Sequence, residues 1–179
     1  KYWSAWQELS TYPESDAARQ AVVVRGQTLA NSVQQQYKGL RGIADQVNGD
    51  IEATVKQVND LSRQIASCNG EIRRVEGMGD NPNDLYDRRD LLVEKLAGLI
   101  NVTVTPGDPD EFMVHTDGQV IVQGDLGRQI ATVGQIDNNG YGKLVWTDTK
   151  VDAEFHGGTL GALVELRDKD LRGELQTLN

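Results

Sequence analysis

Sulfur, histidine and aromatic side chains are scarce in this chain, which has one cysteine, two histidines and 6% aromatic residues among 179. A lone Cys68 closes no internal disulfide and supplies no metal-binding spacing. His115 and His156 belong to no HExxH-type pairing, so the usual zinc chemistry has no ligand set. No run approaches the roughly 18 apolar residues that cross a bilayer, and no basic-then-apolar leader opens the chain. Basic charge is also short. Eighteen Lys and Arg against twenty-seven Asp and Glu leave a net charge of -9, and such a surface repels phosphate backbones and anionic head groups. Nucleic acid and membrane are therefore not expected partners.

Catalytic and cofactor signatures are missing too. Neither GxGxxG nor GxxxxGK[ST] occurs, and Gly157-Gly158 reads as a flexible strand-to-helix junction rather than a phosphate cradle. The acidic runs Asp80-Asn81-Pro82-Asn83-Asp84 and Asp108-Pro109-Asp110-Glu111 lack the ligand order of a calcium loop and read as solvated turns. Asn101-Val102-Thr103 matches a glycosylation sequon, a frequent coincidence in any sequence. Cys68 falls on a helical seam with no His or basic residue one turn away to activate it, and reads as a small core residue. No catalytic residue, cofactor-binding residue or metal ligand is expected.

What the chain does have is periodicity. Val33, Tyr37, Leu40, Ala44, Val47, Ile51, Thr54, Val58, Leu61, Ile65, Cys68, Ile72 and Val75 recur at alternating intervals of four and three, a heptad seam. The same phase runs back through Ala30, Gly26 and Val23 to Ser15-Asp16, which can cap a helix running to about Glu76. Such a helix would be roughly 90 Å long at 1.5 Å per residue. Gly26, Ala30, Ala44, Thr54 and Cys68 make the seam shallow. Gly26, Gly39, Gly42, Gly49 and Gly70 each cost up to about 1 kcal/mol relative to Ala, so the rod is expected to need partners for stability.

Gly77 to Asn83 form a helix stop. A second helix follows, capped by Asn83 or Asp84, with Asp84, Asp87 and Asp90 favoured by its dipole and Leu85, Arg89, Leu92, Leu96 and Leu99 on its seam. From Asn101 the period becomes two. Val102/Val104, Phe112/Val114, Val120/Val122, Leu144/Trp146 and Val151/Ala153/Phe155 read as half-buried strands, with hairpin turns at Asp117-Gly118 and Asn139-Gly140. Thr159 then caps a third helix bearing Leu160, Val164, Arg167, Leu171, Leu175 and Leu178. The fold class is α+β: a long helical hairpin or three-helix bundle with a small antiparallel β-rich insertion. Residues 1–100 with 158–179 form a discontinuous helical rod domain, and 101–157 a β-rich subdomain. The chain opens at Lys1 rather than Met and stops at Asn179 inside a helical pattern, as expected of a piece of a longer protein.

Arg89 and Arg167 are the oddities, each on a seam and each followed by Asp. Two readings stand: a registry device bridging to acids such as Glu71 or Glu165, or long stems snorkelling to solvent.

Three segments carry a resemblance. They are Asn83-Asp84-Leu85-Tyr86-Asp87-Arg88-Arg89-Asp90-Leu91-Leu92, Leu99-Ile100-Asn101-Val102, and Gly157-Gly158-Thr159-Leu160-Gly161-Ala162-Leu163-Val164-Glu165-Leu166-Arg167-Asp168. Together with Trp3-Ser4-Ala5-Trp6-Gln7-Glu8-Leu9-Ser10 and Ala17-Ala18-Arg19-Gln20-Ala21-Val22, they resemble the bacterial flagellar hook-associated protein 1 family over about 120 residues of this chain. The first segment is shared in looser form with hook-associated protein 3. Tyr86 and Arg88 depart mildly from the usual Leu and Gln. The candidate structural motif is Asn83, Asp84, Asp87, Arg89, Asp90, Gly157, Gly158, Arg167 and Asp168.

The resemblance implies a non-enzymatic structural adaptor, exported through the flagellar type III channel, that joins hook to filament. The implied partners are the hook protein, hook-associated protein 3, neighbouring copies of itself, and an export chaperone acting on a C-terminal part absent here. The implied location is the extracellular flagellum, or the periplasmic flagellum in a spirochaete. The family's terminal heptad segments are absent from this chain, which on that ground is expected to be soluble and monomeric. Two other readings fit the periodicity: an unrelated coiled-coil stalk binding module with a β head, and an enzyme within the β insertion.

Overall fold

A computed structural model of the chain describes residues 1–134, 138 and 140–178. Helix α1 spans Tyr2–Thr11, α2 Asp16–Gly77 and α3 Asn83–Leu99. The strands are β1 (Thr103–Thr105), β2 (Met113–Thr116), β3 (Gln119–Gln123), β4 (Leu126–Gly127), β5 (Ile130–Gly134) and β6 (Gly142–Trp146). Helix α4 (Gly158–Glu165) then passes through a π-helical segment, Leu166–Leu171, into α5 (Arg172–Thr177).

Compactness divides the chain into two units, Lys1–Asp45 with Leu171–Asn179, and Gln46–Asp170. This differs from the division at residues 100 and 158 drawn from the change of period. The reason is that the second half of α2 and the strands share one packed interior. On α2 the seam residues Val47, Ile51, Thr54, Val58, Ile65, Cys68 and Ile72 are buried, as the heptad spacing requires. Beside them runs a second buried or half-buried row, Val55, Asn59, Ser62, Ala66 and Asn69, again at four-three spacing. Two adjacent rows give one helix two packing faces, one for α3 and one for the strands.

The second row is largely polar because its partners are strand backbones. Asn59 donates from Nδ2 to the Ile130 carbonyl (2.8 Å) and accepts at Oδ1 from the Ile130 N–H (2.8 Å), imitating a neighbouring strand. The Ser62 hydroxyl lies 3.2 Å from the Ile121 carbonyl and 3.1 Å from that of Arg128. Asn69 donates to the Gly124 carbonyl at 2.7 Å. Gly127 allows this approach, since a Cβ there would sit 2.8 Å from the Ser62 carbonyl oxygen. Beyond the row, Arg73 clamps Asp110 (2.6 Å) and Asp125 (2.7 Å), and these hydrogen bonds hold its guanidinium more basic than usual.

In the unit Lys1–Asp45 with Leu171–Asn179, Ala5, Ala18, Val22, Ala44, Leu171 and Leu175 are buried. Tyr2 reaches within 3.6 Å of where a Cβ on Gly26 would lie. The Ser15 hydroxyl accepts from the Ala18 N–H at 3.3 Å, the N-cap expected for α2. Helix α1, with Trp3 and Trp6 exposed, was not foreseen from the spacing.

Several expectations need correction. The strands form two sheets, ordered β1-β2-β3-β4 and β5-β6, all antiparallel. Residues 151–155 are not a strand. Lys150 takes φ 60 and turns the chain, leaving only a bridge between Val145 and Asp152. Val104 is exposed on an edge strand, and a register shift between Val114 and His115 lets both Ile121 and Val122 face inward. Asp117-Gly118 does make the tight hairpin, with φ 45 and 78. The turn expected at Asn139-Gly140 falls partly outside the described residues. Pro82, not Asn83 or Asp84, sits at the N-cap of α3, and only Asp84 lies in its first turn. Thr159 lies inside α4, where Gly157 is the N-cap. The expected third helix is interrupted by the π segment.

Trp146, 1% exposed, closes the interior of the β5-β6 side, with the Arg128 guanidinium stacked 4.1 Å above its ring. Asp148 grips that guanidinium at 2.7 and 3.0 Å, and the Arg128 hydrogen bond lowers its carboxyl to about 2. A depressed carboxyl stabilises the fold at pH above its unfolded value near 3.8, and that contribution disappears as pH falls toward 2. Asp148→Asn is therefore expected to lower the urea midpoint at pH 6 but to match the parent protein near pH 2. A gap that stays constant across that range in parallel melts would refute the assignment.

Candidate functional site

The chemistry-bearing residues concentrate where α2, α3, α4 and the strands meet within Gln46–Asp170. Both seam arginines point inward there. Arg167 is 2% exposed. Its Nε and Nη2 donate to Asp168 (2.7 and 2.9 Å), Nη1 to the Asn48 side-chain oxygen (2.6 Å), and Nη2 also to the Gly142 carbonyl (2.8 Å). One guanidinium thus ties α2, β6 and the π segment. Asp168 also accepts from Asn138 Nδ2 at 2.9 Å. With its charge paired and its donors shared among three elements, Arg167 meets the condition under which a buried ion is tolerable.

Arg89 is 7% exposed and held differently. Its guanidinium stacks 3.9 Å from the Phe112 ring centre and 4.9 Å from that of Tyr86, and Nη1 donates to Asn69 Oδ1 at 3.2 Å. Asp90 lies 3.9 Å from Nε, which makes no hydrogen bond. Neither arginine snorkels to solvent. Nor are the acids the ones anticipated: Glu71 lies 4.0 Å from Arg88, and Glu165 pairs with Lys169 at 2.8 Å, an ion pair that lowers its carboxyl.

Of the remaining candidate motif residues, Asn83, Asp84, Asp87 and Asp90 are exposed. Their neighbours do the joining: the Leu85 carbonyl accepts from Cys68 Sγ at 3.2 Å, and the Tyr86 hydroxyl donates to Glu76, which raises its pKa. Burial pushes the Cys68 thiol up, against the pull of Arg88.

Gly157-Gly158 is a close-packing device. Gly158 has φ +66, and a Cβ on it would lie 2.5 Å from the Leu99 carbonyl oxygen. A Cβ on Gly161 would lie 2.8 Å from that of Phe155. Bare backbone therefore lets the start of α4 press on the end of α3, where the Thr159 hydroxyl donates to the Gly98 carbonyl at 3.0 Å. The junction is tightly fixed, not flexible as its sequence suggested. Sequence reasoning also missed Asn48, Asn59, Ser62 and Asn69; their four-three recurrence beside the seam was the available signal.

An open cleft of about 580 Å³ lies between β6, residues 152–158 and α4. Its charges pair across its rim, Lys143 with Asp152 (2.6 Å) and Lys169 with Glu165. His156 there contacts Asp117 at 3.7 Å, while His115 meets Thr105 at 3.2 Å. No three His, Cys, Asp or Glu side chains among the described residues group as a metal site. What the arrangement does is hold helices and strands in register.

The family described as the flagellar hook-associated protein FlgK helical domain matches residues 1–179. The chain belongs to this family. Flagellar hook-associated protein 1 of Salmonella typhimurium is 31% identical over 186 residues, covering 99% of this chain and 34% of its own length. The Escherichia coli K12 protein of that name is 32% identical with the same coverage, and that of Bacillus subtilis 35% identical over 58% of this chain and 20% of its own. A solved structure of the flagellar hook junction protein FlgK from Burkholderia pseudomallei superposes with a TM-score of 0.82 at 28% identity, over 93% of this chain and 31% of that one. The chain thus spans about a third of the length of its FlgK relatives, and its α+β architecture is that of the FlgK neighbour.

Two expectations follow from the geometry. Arg167→Met removes two charge-assisted hydrogen bonds from the half-buried Asp168 carboxylate and the donor to Asn48 and the Gly142 carbonyl, and is expected to cost about 2–3 kcal/mol in urea unfolding, while Arg89→Leu costs less because a ring stack is replaced by apolar contact. Equal, small losses would show that neither arginine fixes the register of these elements. Gly158→Ala combines left-handed backbone with the Leu99 collision and is expected to cost about 2–4 kcal/mol. A melting temperature within a degree of the parent would show that the α3-α4 contact can yield.

Proposed function

We propose that this chain is the helical packing part of a structural subunit that joins the hook to the filament of a bacterial flagellum, acting by protein–protein contact and not by catalysis. The observation that carries the reading is the FlgK family match over residues 1–179, supported by the FlgK structure at TM-score 0.82. The interior agrees with it. Its charged and polar groups are spent on registry between helices and strands.

On this reading the partners are the hook protein, hook-associated protein 3 and neighbouring copies. An export chaperone acts on a part of the protein outside this chain. The working location is the extracellular flagellum, or the periplasmic one in a spirochaete. The wider match favours hook-associated protein 1 over hook-associated protein 3 and over an unrelated coiled-coil stalk.

The test is deletion of the gene, negative-stain electron microscopy of the cells, and assay of the medium for unpolymerised flagellin. Hooks without filaments and flagellin lost to the medium are expected, with filaments restored by the full-length gene. Normal filaments on the deletion strain would sink the proposal.

A further inference from the structure

The seam of α2 is continuous in sequence but not in cover. Ile51, Val58, Ile65 and Ile72 are fully buried within Gln46–Asp170. In the unit Lys1–Asp45 with Leu171–Asn179, Tyr2 lies against Gly26, and Ala44 is 1% exposed. Between those two points the seam opens. Val33, Tyr37 and Leu40 are half-buried there, while Leu29 and Ile43 are each 48% exposed. From Leu29 to Ile43 this apolar strip is about 20 Å long.

The charge around the strip runs against the rest of the chain. From Ala17 to Ala44 there are four basic side chains, Arg19, Arg25, Lys38 and Arg41, and no acidic one, in a protein of net charge -9. Arg19 lies 3.8 Å from Glu14 and Arg41 4.0 Å from Asp45, but Arg25 and Lys38 make no ion pair among the described residues. By helical spacing Arg25 and Arg41 fall at opposite margins of the strip. Charges at the margins of a helical seam set which partner is accepted. Two copies meeting through this strip would set basic flank against basic flank, and like charges placed together across an interface suppress that pairing.

The geometry points to a docking face: the strip Leu29–Ile43 of α2 takes an amphipathic helix of a different protein, with apolar residues at four-three spacing and acidic flanks. A helix fits because the open strip keeps the heptad period of the covered seam, and a groove of that period is read by anchors three and four residues apart. Acidic flanks fit because every charged side chain between Asp16 and Asp45 is basic. Leu29 and Ile43 are the apolar anchors, and Arg25 selects for charge. The inference goes beyond the flagellar role and does not rest on it.

The test is photo-cross-linking of the full-length protein in its source cells, with Leu29→p-benzoylphenylalanine, Ile43→p-benzoylphenylalanine and, as a control on the opposite side of α2, Asn31→p-benzoylphenylalanine. Adducts are expected from Leu29 and Ile43, with at least fivefold less from Asn31. Mass spectrometry is expected to place both adducts in one segment of a different protein, richer in Asp and Glu than in Lys and Arg. The two attachment sites should lie about fourteen residues apart, the separation of the anchors along paired helices, where an extended strand would give about six. Arg25→Glu should lower the Leu29 adduct at least fivefold with the melting temperature unchanged, and Arg25→Lys should retain it. No adduct, an equal yield from Asn31, attachment to a second copy or to the protein's own chain, a neutral or basic segment, or sites about six residues apart each overturns the inference. A yield from Arg25→Glu equal to the parent's, or a loss matched by a lowered melting temperature, overturns it as well.

Discussion

The arrangement depends on α2 serving as a surrogate strand. Among the described residues the six strands, of two to five residues each and split between two sheets, are too short to fold by themselves, since short hairpins are marginal in water without a face to pack on. Asn59, Ser62 and Asn69 supply what further strands would have supplied: donors and acceptors for Ile130, Ile121, Arg128 and Gly124. Each buried backbone group left unpaired costs about 1–3 kcal/mol. A polar row along one helix is therefore worth more here than an apolar row of equal area, and it dictates which residues of the strands face α2.

The two arginines extend that logic to the helices. Arg167 answers three acceptors on three elements, and Arg89 lies between aromatic rings from α3 and from the residue before β2, with Asn69 bridging it to the polar row. Asn69 thus serves both sides at once, donating to Gly124 and accepting from Arg89. A directional network of this kind specifies register more sharply than apolar contact does, because a one-residue slip leaves several charged or polar groups unpaired together. Gly158 and Gly161 complete the fit by letting backbone meet backbone where a Cβ would collide.

Much of this was legible in the residues and some was not. The heptad seam located α2 to within a residue at its C-terminus, and the seam of α3 placed Arg89, Leu92 and Leu96 in the interior. The seam put both arginines on inward faces but could not decide between burial and snorkelling, because their partners lie far away in sequence: Asn48 lies 119 residues from Arg167. Val151 to Phe155 alternated like a strand, yet Lys150 turns the chain and Ala153 and Phe155 are buried without a ladder. Alternation reports which side chains face inward, not how far the pairing extends: here Trp146 N–H bonds the Val151 carbonyl and Ala153 N–H that of Leu144, and the pairing stops at that one bridge. Thr159 had the chemistry of a cap but spends its hydroxyl on Gly98, a tertiary contact that local spacing does not encode. The second row on α2 was visible as a pattern and passed over because it is polar.

The charge distribution ties the interior to the role proposed for the family. Residues 46–170 carry 22 acidic against 12 basic side chains, while residues 1–45 with 171–179 carry 5 against 6. Net charge is thus -10 on one unit and +1 on the other. Between exposed charges, repulsion fades over about 8 Å at physiological salt, so it acts only on surfaces brought nearly into contact. Any surface bearing the same sign of charge meets that cost at the acidic unit and not at the near-neutral one. The near-neutral unit is also where Trp3, Trp6, Tyr12, Val23 and Val24 stand exposed. The acidic unit exposes Met78, Leu91, Leu126 and Val151 in turn, so it is charge rather than apolar exposure that distinguishes the two surfaces.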